Sequence, residues 1–332
     1  MKLPLTAFIC LFATIVCAQT KTINFAAVDK NAKQVNAATA ADLSQKLTAP
    51  YKTELEKVRA IFIWITDNIA YDVYAYHNTE AAYAGLFRPY ISTVDSIVKK
   101  DYNDRVVQKV LNERTAICDG YSRLFKTLCD YANIQSVIVD GNIRWHTDPI
   151  GLATSRPHAW NAVLIDKKWQ LLDATWASGT VNDDDTLSTF NKSYNEFYFL
   201  PDANKLITDH YPDDVKWALL TNVPSKQQFY SSPYFYTDFY ALNIKSYTPT
   251  QGTLQLTSVR KTIHIELEAD DLKRTFLVSE YPNSSTEAYA PKSTIVGNKI
   301  ILDYELQSDK TKRVDVYYNS KPIISYAIWM FK

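Results

Sequence analysis

The stretch Thr115-Ala116-Ile117-Cys118-Asp119-Gly120-Tyr121-Ser122-Arg123-Leu124-Phe125 constrains this chain more than any other. Tyr121, Leu124, Phe125 and Leu128 recur at helical spacing, which predicts a helix with one buried face from about Cys118 to Tyr131. Cys118 then lies in the first turn, where unpaired backbone N–H groups and the positive end of the dipole favour thiolate over thiol. A thiolate nucleophile needs a base, and the base needs an orienting group. Two downstream blocks offer them: His158 in Pro157-His158-Ala159-Trp160-Asn161, and Asp173 in Leu171-Leu172-Asp173-Ala174-Thr175-Trp176.

Residues Pro157 to Trp176 read as a β-hairpin, with strands His158 to Ile165 and Lys168 to Thr175 and a turn at Asp166-Lys167. Successive side chains on a strand face opposite ways. A two- or four-residue loop therefore puts His158, Trp160, Ala162 and Leu164 on the same face as Trp169, Leu171, Asp173 and Thr175, with His158 near Asp173. A three-residue loop separates them.

Four cysteines are present. Lys2 is followed by an apolar run from Leu3 to Cys17, and Val16-Cys17-Ala18 fits a cut after Ala18, so residues 1–18 read as a signal peptide. Lipid attachment at Cys17 is the minor alternative, because Val16 is a poor fit to the small residue such sites prefer. No later stretch is long and apolar enough to span a bilayer. The expected product is a secreted or periplasmic protein, not an integral membrane protein. Export leaves Cys118 and Cys129. Eleven residues of helix separate them by about 16 Å, too far for a disulfide, and Cys129 reads as a small buried hydrophobe.

Lys plus Arg equals Asp plus Glu at 36 each, which removes the basic surplus that nucleic acid or an anionic membrane would require. A hydrophobic fraction of 46% supports a large packed core, and the length predicts two domains. Residues 19–46 are a polar, Ala-rich lead-in anchored at Ile23 and Phe25, with a short helix over Ala40 to Leu47. Thr53-Glu54-Leu55-Glu56 is a capping box. It opens a helix through about Asn68 that is apolar on two sides. A helix over Arg105 to Glu113, a strand over Ser136 to Asp140 and a turn at Gly141-Asn142 follow. Asp183-Asp184-Asp185 lacks the spacing of a calcium loop and reads as a solvated turn. From about Ser225, short alternating runs separated by turn residues predict an antiparallel, immunoglobulin-like β-sandwich over 225–332. Those runs are Thr253 to Ser258, Thr262 to Glu268, Thr275 to Ser279, Lys299 to Leu306, Arg313 to Tyr318 and Pro322 to Phe331.

Taken together, the blocks around Cys118, His158 and Asp173 resemble the transglutaminase-like superfamily. More narrowly, they resemble the branch that includes the kyphoscoliosis peptidase and related cytokinesis proteins. Supporting blocks are Trp64 to Asp72 upstream, and Phe199-Leu200-Pro201 through His210-Tyr211-Pro212-Asp213-Asp214 downstream. The resemblance covers about Leu47 to Leu220. It implies an α+β papain-like transglutaminase core over 47–222, followed by the sandwich. By position it makes Cys118 the nucleophile, His158 the base and Asp173 the group that orients the imidazole. The implied chemistry is a thioester acyl-enzyme formed on a protein or peptide amide, resolved by hydrolysis or by acyl transfer to an amine. No cofactor and no metal is implied, and no zinc-ligand spacing occurs.

Each residue also has an ordinary reading: a buried structural thiol for Cys118, a satisfied core histidine for His158 and a hairpin carboxylate for Asp173. His146, beside Asp148, and His210 are rival bases, with His210 read as structural. His77 and His264 lack a carboxylate or cysteine context. Trp160 and Trp176 flank the site in sequence and would wall it against water. The alternative function is a transglutaminase-like scaffold with a vestigial site, binding partners through its sandwich.

Overall fold

A computed structural model describes residues 24–78, 96–182, 189–270, 275–281 and 288–331. The expected signal peptide and the Asp183-Asp184-Asp185 run lie outside these residues.

The N-terminal part is built on helices α1 (Ala26–Lys33), α2 (Ala40–Thr48) and α3 (Glu54–Asn68). Both arms of the capping box form at the start of α3: the Thr53 side chain accepts from the Glu56 backbone N–H, and the Glu56 side chain accepts from the Thr53 backbone N–H. Every residue from Val58 to Thr66 is buried, so α3 is enclosed on more than one side. Within the lead-in, α2 forms where the sequence pattern predicts a short helix over Ala40 to Leu47, whereas α1 was not predicted. Asp29 of α1 is paired with Arg59 of α3, whose guanidinium also lies 4.9 Å from the centre of the Phe25 ring.

Strand β1 (Ala70–Tyr71) runs parallel to β2 (Thr115–Ala116), with Tyr71 opposite Ala116. This pairing brings the Trp64-to-Asp72 block against the residues that lead into Cys118. Between them lie the short helix α4 (Val73–His77) and α5 (Ser96–Glu113). Helix α5 starts nine residues before Arg105. Its first half carries no regular apolar period, so the pattern reported only the C-terminal half, where Val107, Val110 and Leu111 are buried. Helix α6 (Cys118–Tyr131) has the predicted limits, and Leu124, Phe125 and Leu128 are fully buried.

Helix α6 packs across an antiparallel four-stranded sheet with strand order β5-β4-β3-β8. The strands are β3 (Ser136–Ile143), β4 (Pro157–Ile165), β5 (Lys168–Leu172) and, after short β6 (Gly179–Asn182) and β7 (Thr189–Lys192), β8 (His210–Pro212). Two expectations are corrected here. Gly141-Asn142 is not a turn: it continues β3, with Gly141 opposite both His158 and Pro212. A Cβ at Gly141 would lie 2.7 Å from the Trp160 ring and 2.8 Å from Pro212 Cα. Glycine is therefore required by close approach of its neighbours rather than by chain reversal. The second correction concerns β5, which stops at Leu172. Asp173 instead caps helix α7 (Ala174–Ser178). The connecting turn has two residues, Asp166 and Lys167, with φ of 49° and 65°, matching the twist of a tight hairpin. Ala162 faces Leu171 across it, as the two-residue loop requires.

A second hydrophobic cluster is drawn from residues between Phe235 and Ile328. It lies between two sheets whose core strands are β12 (Thr262–Glu268), β16 (Lys299–Glu305), β17 (Arg313–Tyr318) and β18 (Lys321–Phe331). The remaining strands are β9 (Tyr234–Phe235), β10 (Ser246–Thr248), β11 (Thr253–Thr257), β13 (Phe276–Tyr281), β14 (Ala288–Tyr289) and β15 (Lys292–Val296). One sheet is ordered β10-β12-β16-β15 and the other β11-β18-β17-β13-β14, with β9 also paired to β18. Strict alternation places Ile263, Ile265 and Leu267 inward. The sandwich departs from the sequence reading in two ways. Residues 226–241 hold two short helices, Lys226–Ser231 and Thr237–Ala241. The sheet is also not wholly antiparallel, because Thr253–Thr257 pairs parallel to β18.

Candidate active site

The N-terminus of α6, the start of β4 and the cap of α7 converge on one buried spot. Side chains fix their relative positions. Asn161 of β4 donates from Nδ2 to the carbonyls of Ser122, in α6, and Val137, in β3, at 3.1 and 3.2 Å. Ser122 Oγ donates back to the Ala159 carbonyl at 2.9 Å. Gly120 is wedged against α5 and β2: a Cβ there would lie 2.8 Å from Ala116 Cβ and 3.0 Å from Val110 Cγ2. Cys118 is thereby held one residue inside the helix, after Ile117, which makes no side-chain capping bond.

His158 and Asp173, on the face that the two-residue turn predicted, meet at 2.6 Å between Nε2 and Oδ2. A carboxylate only accepts, so Nε2 carries the proton and Nδ1 is the ring nitrogen that Asp173 leaves open. Cys118, His158 and Asp173 are 3%, 6% and 0% exposed. Oδ1 of Asp173 accepts from the backbone N–H groups of Thr175 and Trp176 at 2.7 and 3.1 Å.

Burial disfavours a charged imidazole, yet the Asp173 carboxylate and the Cys118 sulfur together hold His158 up at about 9. Burial likewise opposes ionisation of Asp173, but the His158 and His210 rings beside it pull its carboxyl well below the usual range. The surround is aromatic. Trp160 stacks on His158 at 6.1 Å and 23°, and the Trp176 ring centre lies 6.0 Å from it.

One participant was not foreseen in this role. His210, at the start of β8, places Nε2 3.0 Å from the same Asp173 Oδ2, and Nδ1 2.6 Å from Asp209 Oδ1. It had been read as a structural rival to His158. The signal for more was the Asp209-His210 dipeptide, but only the pairing of Ile143 with His210 delivers it to Asp173. The other rival, His146, packs beside Trp145 and Tyr236, while Asp148 pairs with Arg156 at 2.5 Å. The reading of His264 is corrected. Opposite Asp303 in the β12–β16 register, it is bonded to that carboxylate at 2.7 Å and to Glu266 at 3.3 Å. Cys129 is fully buried, and burial pushes its thiol far up.

Among the described residues, His158, Asp173 and His210 bring donor atoms within 4.8 Å of one another, close enough to share a metal ion. Their separations are hydrogen-bond distances, and both nitrogens of His210 already face carboxylate oxygens. Among the described residues no helix is long and apolar enough to cross a membrane.

Comparison with known proteins gives the chain's relatives. Residues 41–174 match the family model described as the transglutaminase-like superfamily. Kyphoscoliosis peptidase of Mus musculus is 35% identical over 251 residues, 75% of this chain and 34% of that protein. The human protein of the same name is 34% identical over 73% of this chain and 34% of its own length. Hillarin of Drosophila melanogaster is 25% identical over 67% of this chain and 26% of its own. The matched region spans about a third of the length of the kyphoscoliosis peptidases.

Proposed function

Because this chain carries a papain-like domain of the transglutaminase-like superfamily, we propose that Cys118, His158 and Asp173 form a thiol catalytic triad acting on amides of protein or peptide substrates. The observation that carries this reading is the 2.6 Å bond from His158 to Asp173, with a buried Cys118 at the start of α6 whose sulfur helps to hold the imidazole protonated. The Cys118 thiolate attacks the carbonyl carbon of a glutamine side chain or peptide bond. The C–N bond breaks, the proton on His158 goes to the departing amine, and a thioester remains. His158, now neutral, takes a proton from the incoming water or amine. Water completes a hydrolysis and an amine an acyl transfer; that two of the relatives bear the name peptidase favours water. The backbone N–H of Cys118 at the helix start is a suitable donor to the developing oxyanion.

The test is labelling with iodoacetamide and acrylamide followed by peptide mapping. Modification at Cys118, absent from Cys118→Ala, is the expected result. Modification confined to Cys129 would refute the assignment. We further propose export, with residues 1–18 removed; the first residue of the mature protein should be Gln19. A scaffolding function is favoured by a different observation: the sandwich exposes Trp329 and Phe331 side by side in sequence register, at 55% and 47%. That reading gains if His158→Ala leaves partner binding intact and wild type forms no acyl-enzyme.

A further inference from the structure

We propose that His210, held as an imidazolium between Asp173 and Asp209, is a positioning residue of this site, completing a relay Cys118–His158–Asp173–His210–Asp209. The inference rests on the triad reading above and adds a regulator of its base. The geometry fixes the charge of His210. Nδ1 lies 2.6 Å from Asp209 Oδ1 and Nε2 lies 3.0 Å from Asp173 Oδ2. A neutral imidazole has one N–H, so it can donate to only one of two carboxylates. Satisfying both requires both protons, and the ring is buried beyond the reach of bulk water. Although burial alone would lower it, Asp209 and Asp173 hold His210 up at about 9.

The consequence for Asp173 is mechanical as well as electrostatic. Its Oδ2 is shared between two rings whose centres are 5.4 Å apart. Losing the His210 donor frees that oxygen to turn, and His158 Nε2 loses the fixed acceptor that sets the orientation of its ring. His210 touches neither Cys118 nor a substrate, so it acts through Asp173. The groups facing His210 come from several elements: His158 from β4, Asp173 from the cap of α7, Asp209 beside it, and Tyr198, whose hydroxyl donates to Asp209 at 3.3 Å. Arg144 from the end of β3 and Tyr234 and Tyr240 from the sandwich side complete the field around Asp209.

Two measurements on the full chain test this. The first is the protonation of His210, read from nitrogen-15 shifts of the imidazole rings at pH near 7. Both nitrogens should be protonated, and a neutral tautomer overturns the proposal. The second compares wild type with Asp209→Asn and His210→Gln, each checked for native fold by near-ultraviolet circular dichroism. The readout is the burst of nitrophenolate from p-nitrophenyl acetate. In Asp209→Asn the His210 proton is lost at lower pH. The ratio of variant to wild-type burst rate should be near one at about pH 6 and fall roughly tenfold by about pH 8.5, the scale of one charged hydrogen bond. His210→Gln keeps one donor without charge and should be slower at both pH values. A structural role alone gives a ratio independent of pH, and that result overturns the proposal. If wild type gives no burst that Cys118→Ala abolishes, the triad reading fails by itself. The inference then stands or falls on whether Asp209→Asn moves the ring titration of His158 in the same spectra.

Discussion

Replacing Asp173 by Asn removes one charge from the centre of the buried network and keeps its shape. The amide oxygen can still accept from Thr175 and Trp176, as Oδ1 does at 2.7 and 3.1 Å. What disappears is the anion that holds His158 protonated to about 9 against an ordinary 6.5. Below about pH 6.5 the imidazole is protonated in both the folded and the unfolded chain, and its full contribution to stability is present. As pH rises past that value the unfolded chain releases the proton while the folded chain keeps it. Stability falls until about pH 9, where the contribution is gone. The gap from 6.5 to about 9 corresponds to about 3 kcal/mol. His210 retains Asp209 in this variant, so its own pH dependence largely remains. On the acid side the sign reverses. Asp173 is depressed from an ordinary 3.8, so its contribution is present above that value and disappears as pH falls through the folded one. Urea unfolding followed by tryptophan fluorescence suits the experiment, because Trp145, Trp160 and Trp176 cluster around His158 and His210. The wild type should exceed Asp173→Asn in stability by about 3 kcal/mol more at pH 6 than at pH 9.5. Parallel curves over that range would refute the electrostatic account of the site.

Gly141→Ala forces a methyl against the Trp160 ring and the backbone of β8. It should cost about 3 kcal/mol and lower Tm in a calorimetric scan. Thr53→Ala removes the cap of α3 and should cost about 1 kcal/mol, with Thr53→Ser restoring most of it in the same urea titration. Arg59 binds Asp29 and Glu196 through four hydrogen bonds at 2.6 to 2.9 Å. Arg59→Met should destabilise by roughly 2 kcal/mol, discounted for the exposure of Glu196, and limited proteolysis should then cut within residues 26–33 before any other site.

Local signals carried the elements that local physics determines. The Thr53 box, the apolar stripe of Cys118 to Tyr131 and the alternation of Thr262 to Glu268 each encode an element in a few adjacent residues, and each formed. The meeting of His158 with Asp173 was also legible, because a two-residue turn fixes register and register fixes the face. His210 was legible only as a chemical type. Its position depends on β8 pairing with a strand some seventy residues earlier, and no periodicity in a three-residue strand announces that. Gly141 misled for a related reason: a lone glycine signals freedom to turn, whereas here it answers the approach of β8 and Trp160. His264 was misread because the nearer of its two carboxylate partners, Asp303, sits across the sheet, and the other, Glu266, meets it only as the next residue on the same strand face.

The saturation of Asp173 explains why the arrangement can persist without water. A carboxylate offers about four lone-pair directions, and four donors occupy them: two backbone N–H groups of α7 on Oδ1, His158 of β4 and His210 of β8 on Oδ2. Three elements of different sequence origin thus place the same two oxygens, so none can shift without breaking bonds to the other two. A buried anion held this way would need no reorganisation in the proposed mechanism, where charge moves between sulfur and imidazole, and that is the condition under which fixed dipoles lower a barrier. The same saturation confines rotation of His158, because no free acceptor on Asp173 remains to receive its N–H in another orientation. Precision in the site therefore comes from the number of elements anchored to one side chain rather than from the strength of any single bond.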